Sequence, residues 1–122
     1  MTYDDVSRVS GALLTFSSDS PNYSYVHFNE AQEVIGTVEK KVVSHEAICG
    51  AYYFKNSNTF RDAATKYLLH CSYKEFFMSG VYNEIISPGN TIITFQTDEH
   101  ISFGTPEEYE LAVTDKRLEK LL

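Results

Sequence analysis

Apolar positions in the first half of the chain come in short runs broken by turn formers. Residues 11–16 (GALLTF) are such a run, bounded by the turn-rich SSDSPN. Residues 23–28 then alternate, with Tyr23, Tyr25 and His27 on one face and Ser24, Val26 and Phe28 on the other, the two-residue period of a strand. These two runs read as paired strands. A turn is expected at residues 29–32, and residues 33–40 and 47–54 supply two more strands. Four strands in succession predict an antiparallel meander.

The period changes after residue 54. Phe60, Ala63, Ala64, Tyr67, Leu68 and Cys71 fall at i, i+3, i+4, i+7, i+8 and i+11, which places them on one face of a helix. Asn58 or Thr59 is the expected cap, with Asp62 near the positive end and Lys66 and His70 toward the negative end. Its apolar face is expected to cover the sheet. Residues 72–80 (SYKEFFMSG) have no clear period. Val81, Tyr82, Ile85 and Ile86 recover helical spacing until Ser87-Pro88-Gly89-Asn90 stops it. Residues 91–97 (TIITFQT) form a further strand, interrupted at 98–100 and resumed at 101–103. Thr105, Pro106 and Glu108 then make a strong helix start: an N-cap, a proline at the first helical position and a capping-box glutamate. That helix runs through Tyr109, Ala112 and Val113. Thr114 and Asp115 disturb the period ahead of a Lys-rich tail that forms a separate or frayed turn.

At 122 residues, 43% hydrophobic and 14% aromatic, the chain supports one globular core that buries roughly two-thirds of the unfolded surface. Residues 1–10 read as a polar lead-in and residues 11–122 as a single domain. Ten basic against seventeen acidic residues give a net charge of -7, and the pair Lys40 and Lys41 is flanked by Glu39, so nucleic acid and anionic membranes are poor partners. No apolar run approaches the roughly 20 residues that span a bilayer, and the first ten residues lack the regions of a signal peptide. A cytoplasmic protein is expected. Cys49 and Cys71 are too few and too far apart for a zinc ribbon or a redox pair and read as reduced, buried thiols, with a bridge as the alternative. His27, His45, His70 and His100 show no metal-binding spacing. A hydrolase built on His45 or His100 lacks a nucleophile motif.

Candidate chemistry concentrates in residues 34–54, VIGTVEKKVVSHEAICGAYYF. Two strands there flank a charged knot of Glu39, Lys40, Lys41, Ser44, His45 and Glu46. A carboxylate beside an ammonium at a strand end is either a solvated rim or a polar binding site.

Several pieces of the chain, in order, resemble the sugar nucleotidyltransferases, which couple a sugar 1-phosphate to a nucleoside triphosphate and release pyrophosphate. They are Gly11 with its apolar strand, Tyr23-Ser24-Tyr25-Val26, Val38-Glu39-Lys40-Lys41 with Ser44, Gly50-Ala51-Tyr52-Tyr53-Phe54, Val81-Tyr82-Asn83-Glu84 and the GTPEE start at 104–108. The branch handling capsule and lipopolysaccharide sugars is the most similar. The resemblance implies an α/β fragment, α+β-like in character, with a mixed, largely antiparallel sheet covered by two or three helices. It matches the second half of that family's Rossmann-like domain. It implies that Glu39 holds the sugar and Lys40 its phosphate, with Gly11, Gly50 and Tyr52 along the pocket and no catalytic acid or base. Glycine at Gly11 or Gly50 equally serves a bulge or close packing, and Tyr52 equally serves the core. The family's glycine-rich phosphate loop with its Arg is not found in this sequence. Ser102 stands where many members carry a metal-binding Asp, so no metal ligand is expected from this chain, and Mg²⁺ is expected of the complete enzyme. The implied partners are a sugar 1-phosphate, a nucleoside triphosphate only with the other half, and further copies of the chain. The alternative is a non-catalytic oligomerisation or regulatory module on the same scaffold.

Overall fold

Five runs rich in β-branched and aromatic residues pair into one sheet: β1 (Gly11–Ser17), β2 (Ser24–Phe28), β3 (Val34–Glu39), β4 (Glu46–Phe54) and β5 (Ile92–Gln96). Four helices accompany them among the described residues: α1 (Ser57–His70), α2 (Met78–Ile86), α3 (Pro106–Val113) and α4 (Lys116–Leu121). The structure, a computed structural model, describes residues 6–71, 76–86 and 90–121. The period-free stretch at 72–75 and the helix stop at 87–89 lie outside the described residues.

The strand order is β3-β2-β4-β1-β5, parallel only between β1 and β5. The α/β class with a mixed, largely antiparallel sheet is therefore as expected, but the meander is not. β1 and β2 are consecutive without being neighbours, because β4 lies between them. Nine residues of β4 match β1 along its whole length, from Gly11 opposite Phe54 to Ser17 opposite Glu46, a longer ladder than the five-residue β2 can offer. The connection between β1 and β2 is long enough to step over one strand, and the Tyr25 hydroxyl pins it by donating to the Ser20 carbonyl at 2.7 Å. β2 instead pairs with β3 through the expected turn, closed by Asn29 and Glu33.

The two faces of the sheet bury different clusters. Leu13, Val26, Ile48 and Ile92 meet Val81, Tyr82 and Ile85 of α2 and Ala63 and Tyr67 of α1. Ala12, next to Leu13 and so on the opposite face, packs with Val6 and Val9, which are buried although they lie in the polar lead-in. Further along β1, Phe16, Tyr25 and Ala47 form a third cluster.

Helix α1 begins one turn earlier than its periodicity marks. Asn56, not Asn58 or Thr59, is the cap: its Oδ1 accepts from the Thr59 backbone N–H at 2.8 Å and from the Thr59 hydroxyl at 3.0 Å. Only part of its apolar face is covered. Ala63 and Tyr67 are buried, whereas Leu68 stays 56% exposed, because α2 takes the place over the sheet. Residues 101–103 do not resume a strand. Helix α3 starts as its sequence demands, with Thr105 Oγ1 accepting from Glu108 N at 3.1 Å and Pro106 in the first turn. It stops at Val113, and Asp115 opens the separate α4 by accepting from Arg117 N. Cys49 and Cys71 are unbridged and half-buried rather than buried. Among the described residues no helix is long and apolar enough to cross a membrane.

Candidate functional site at the end of β3

Edge strand β3 needs cover for its free backbone groups, and α2 supplies it. The Asn83 amide pairs with both backbone groups of Thr37, accepting from its N–H at 2.7 Å and donating to its carbonyl at 3.1 Å. The Thr37 hydroxyl donates to the Ser79 carbonyl at 2.5 Å. This clasp fixes the first turns of α2 over the last residues of β3, where Glu39 stands.

Glu39 sits directly opposite Ser24 in the β2–β3 register. Its Oε2 accepts from the Ser24 hydroxyl and, at 3.1 Å, from the Ser79 hydroxyl. Its Oε1 faces Lys40 Nζ at 3.4 Å. The glutamate side chain is only 8% exposed, whereas that of Lys40 is 60% exposed. Burying a carboxylate is costly unless it is paired and hydrogen-bonded, and here both conditions hold. Lys40 leaves the strand in the left-handed region, with φ 57°. Its backbone N–H donates to the Tyr23 carbonyl at 3.1 Å and its ammonium to the Asn22 carbonyl at 2.6 Å. The turn thus holds the cation at the rim beside its own carboxylate.

Tyr52 shares this neighbourhood. Burial pushes its phenol up to about 12, and the negative charge of Glu39 adds to the shift, so near neutrality Tyr52 is an uncharged hydroxyl. Gly50 lies where β4 takes four steps, from Ile48 to Tyr52, against two on β1, a bulge. Its φ of +91° is one that side chains rarely adopt, and a Cβ there would meet open space. Gly11 is placed elsewhere, at the Phe54 end of β1 under the Tyr82 ring. A Cβ at Gly11 would stand 2.9 Å from Tyr82 Cε1 and 3.0 Å from the Tyr53 carbonyl. Its glycine serves close packing, while Glu39, Lys40 and Tyr52 are brought together.

Ser24, Ser79 and Asn83 complete the site without having been singled out for a role. The turn at 29–32 brings β2 beside β3, but the register slips by one residue between Phe28 and His27, so counting from the turn alone would set Ser24 opposite Val38 and not Glu39. Nothing in the local pattern announces Ser79, because residues 72–80 carry no period.

A second polar cluster surrounds the start of α3. Tyr23 donates to Glu108, and His100 stacks on Phe16 with ring centroids 3.7 Å apart. Burial raises the Tyr23 phenol and lowers the His100 imidazolium, and the Tyr23 hydroxyl holds the Glu108 carboxyl below its usual range. Ser102 hydrogen-bonds in this group rather than presenting a carboxylate. One hydroxyl and one engaged carboxylate do not make a magnesium set. Among the described residues no three His, Cys, Asp or Glu side chains converge to hold a metal.

No protein-family model matches the sequence, and no curated protein matches it. Solved structures do. A nucleoside-diphosphate-sugar pyrophosphorylase from Vibrio cholerae RC9 superposes with a TM-score of 0.80 at 26% identity, over 94% of this chain and 51% of that one. A candidate glucose-1-phosphate thymidylyltransferase from Bacillus anthracis, solved in complex with a sucrose, gives a TM-score of 0.66 at 17% identity, over 89% of this chain and 44% of that one. The chain has a nucleotidyltransferase-like fold and spans about half the length of each of these structures.

Proposed function

We propose that this chain is the sugar-1-phosphate-binding part of a nucleotidyltransferase that makes nucleoside-diphosphate sugars and releases pyrophosphate, with capsule and lipopolysaccharide sugars as the product class. The observation that carries the reading is at Glu39: a nearly buried carboxylate that accepts two hydroxyls on one oxygen, with an exposed ammonium beside the other. A pyranose brings neighbouring hydroxyls, and its 1-phosphate brings a dianion that needs a cation. Glu39 receives the hydroxyls, Lys40 the phosphate, and the Tyr52 hydroxyl and the Gly50 backbone border the ring. Nucleotidyl transfer asks a protein mainly to position its reactants and neutralise charge, so neither Glu39 nor Lys40 moves a proton. The nucleoside triphosphate and Mg²⁺ belong to the other half of such an enzyme. This part alone binds the sugar phosphate in the cytoplasm without turnover, and does not bind nucleic acid or membranes.

Isothermal titration with glucose 1-phosphate and galactose 1-phosphate tests the reading. Weak, millimolar binding by the wild type is expected, with a loss of at least about tenfold in Lys40→Ala, the size of one or two charge-assisted hydrogen bonds, and a smaller loss in Glu39→Ala. Absence of binding by the wild type and both variants at saturating millimolar ligand sinks the site assignment.

A second reading, a module for self-association, is favoured by the exposed Leu68 and Leu69 on α1 together with Phe76 and Met78. Sedimentation at high protein concentration tests the second reading. A monomer throughout contradicts it, and a concentration-dependent dimer weakened by Leu69→Glu supports it.

A further inference from the structure

The lone pairs that a sugar would use on Glu39 are already taken. Oε2 is held by two serine hydroxyls from different elements, Ser24 on β2 and Ser79 in the first turn of α2. Ser79 is 3% exposed. The space left beside the carboxylate, bounded by Thr37, Tyr67, Phe77, Ser79, Gly80 and Asn83, is about 20 Å³. That is room for about one water molecule, and far below the roughly 300 Å³ at which small-molecule pockets begin.

The closure is built rather than accidental. The Asn83 clasp on Thr37 and the Thr37 bond to the Ser79 carbonyl hold the start of α2 down. Gly80 lets that turn press directly against the Tyr67 ring of α1. Ser24 is carried by the strand partnered with β3, so its hydroxyl reaches Glu39 through the register itself.

We infer that Ser24 and Ser79 are an internal stand-in for the ligand: their hydroxyls occupy Glu39 Oε2, and a sugar phosphate binds by exchanging its own hydroxyls for theirs. The inference rests on the sugar-phosphate reading of Glu39 and Lys40 and adds its regulation. Exchange of hydroxyl for hydroxyl leaves the number of bonds on Oε2 unchanged, so that oxygen contributes little net affinity while the serines are in place. Lys40, exposed and oriented by Asn22, then supplies most of the attraction through the phosphate. Releasing the first turn of α2 turns a weak site into a strong one.

The test compares wild type, Ser24→Ala and Ser79→Ala by isothermal titration with glucose 1-phosphate and, separately, with inorganic phosphate. Thermal unfolding confirms that each variant is folded. Ser24 lies on a half-buried strand position, which keeps the experiment usable if the buried Ser79 variant fails to fold. Glucose 1-phosphate is expected to bind Ser24→Ala at least about tenfold more tightly than wild type, while inorganic phosphate, which needs only Lys40, changes less than about twofold. Addition of Glu39→Ala to Ser24→Ala should abolish the gain. If wild type binds glucose 1-phosphate and the serine variants bind it equally or less well, the stand-in is wrong and the sugar-phosphate reading survives. If inorganic phosphate gains as much as the sugar phosphate, the serines do not act through hydroxyl exchange and the inference is overturned. If neither wild type nor any variant binds glucose 1-phosphate, both fall together.

Discussion

Gly80→Ala places a methyl group into the contact that seats α2. A Cβ at this position lies against Tyr67 Cε2, 2.6 Å from Cζ and 2.8 Å from the hydroxyl oxygen. Tyr67 is 7% exposed, and its hydroxyl accepts from the Phe77 backbone N–H at 3.0 Å, so the ring yields only by giving up that bond. Overpacking costs about 1–3 kcal/mol, the displaced hydrogen bond about 1 kcal/mol, and the gain in helix propensity from glycine to alanine returns about 1 kcal/mol. The net is a loss of about 1–3 kcal/mol. For a protein of this length the unfolding entropy makes that a fall in Tm of about 4–12 °C. Differential scanning calorimetry of Gly80→Ala, Tyr67→Leu and the double variant measures it. With the ring removed, the same methyl group has room and its helix propensity remains. Gly80→Ala should therefore be neutral or stabilising by about 1 kcal/mol in the Tyr67→Leu background. An equal loss in both backgrounds, or no loss in the wild type, would refute the assignment of Gly80 to this contact.

Other expectations follow from single groups. Asn83→Ala removes both bonds to the Thr37 backbone and should cost about 1–3 kcal/mol in urea unfolding, with more aggregation as the β3 edge is uncovered. Thr105→Ala removes the α3 cap, worth about 1 kcal/mol or a Tm lower by about 4 °C. Tyr52 holds its proton to about 12 in the fold against an ordinary 10. The folded state thus binds more protons in that window, and its contribution to stability is full below 10 and falls as pH rises toward 12. Urea unfolding between pH 8 and roughly 11 should show this fall and a shallower one in Tyr52→Phe, while Tyr82, also raised by burial, keeps part of it.

The elements were legible where one local rule decided them. Thr105, Pro106 and Glu108 specify a helix start within four residues, and the structure has it there. Strand identity was equally open to reading, because alternation and β-branching over residues 23–28 and 33–54 are local signals. Pairing was not. Whether β1 lies beside β2 or β4 depends on the length of ladder each offers, which adjacency in sequence does not encode. The cap at Asn56 escaped notice because apolar periodicity marks the buried face of α1 and not its first turn. Glu39 and Lys40 stood out as a charged pair at a strand end, whereas Ser24 and Ser79 reach the same carboxylate from positions 15 and 40 residues away. Gly11 shows the opposite failure: a glycine beside a strand has the same signature whether a ligand or, as at Tyr82, a packed ring comes close.

The central claim is that a sugar phosphate is held at Glu39 and Lys40. Its most direct test is a series of amide ¹H–¹⁵N correlation spectra of the uniformly labelled chain titrated with glucose 1-phosphate. Saturable shifts concentrated at Ser24, Glu39, Lys40, Gly50 and Tyr52, with Ser79 following as α2 is displaced, are the predicted result. Saturable shifts confined to the larger cleft between Phe28 and Thr94, about 660 Å³ in volume, with Glu39 and Lys40 unmoved, would contradict it.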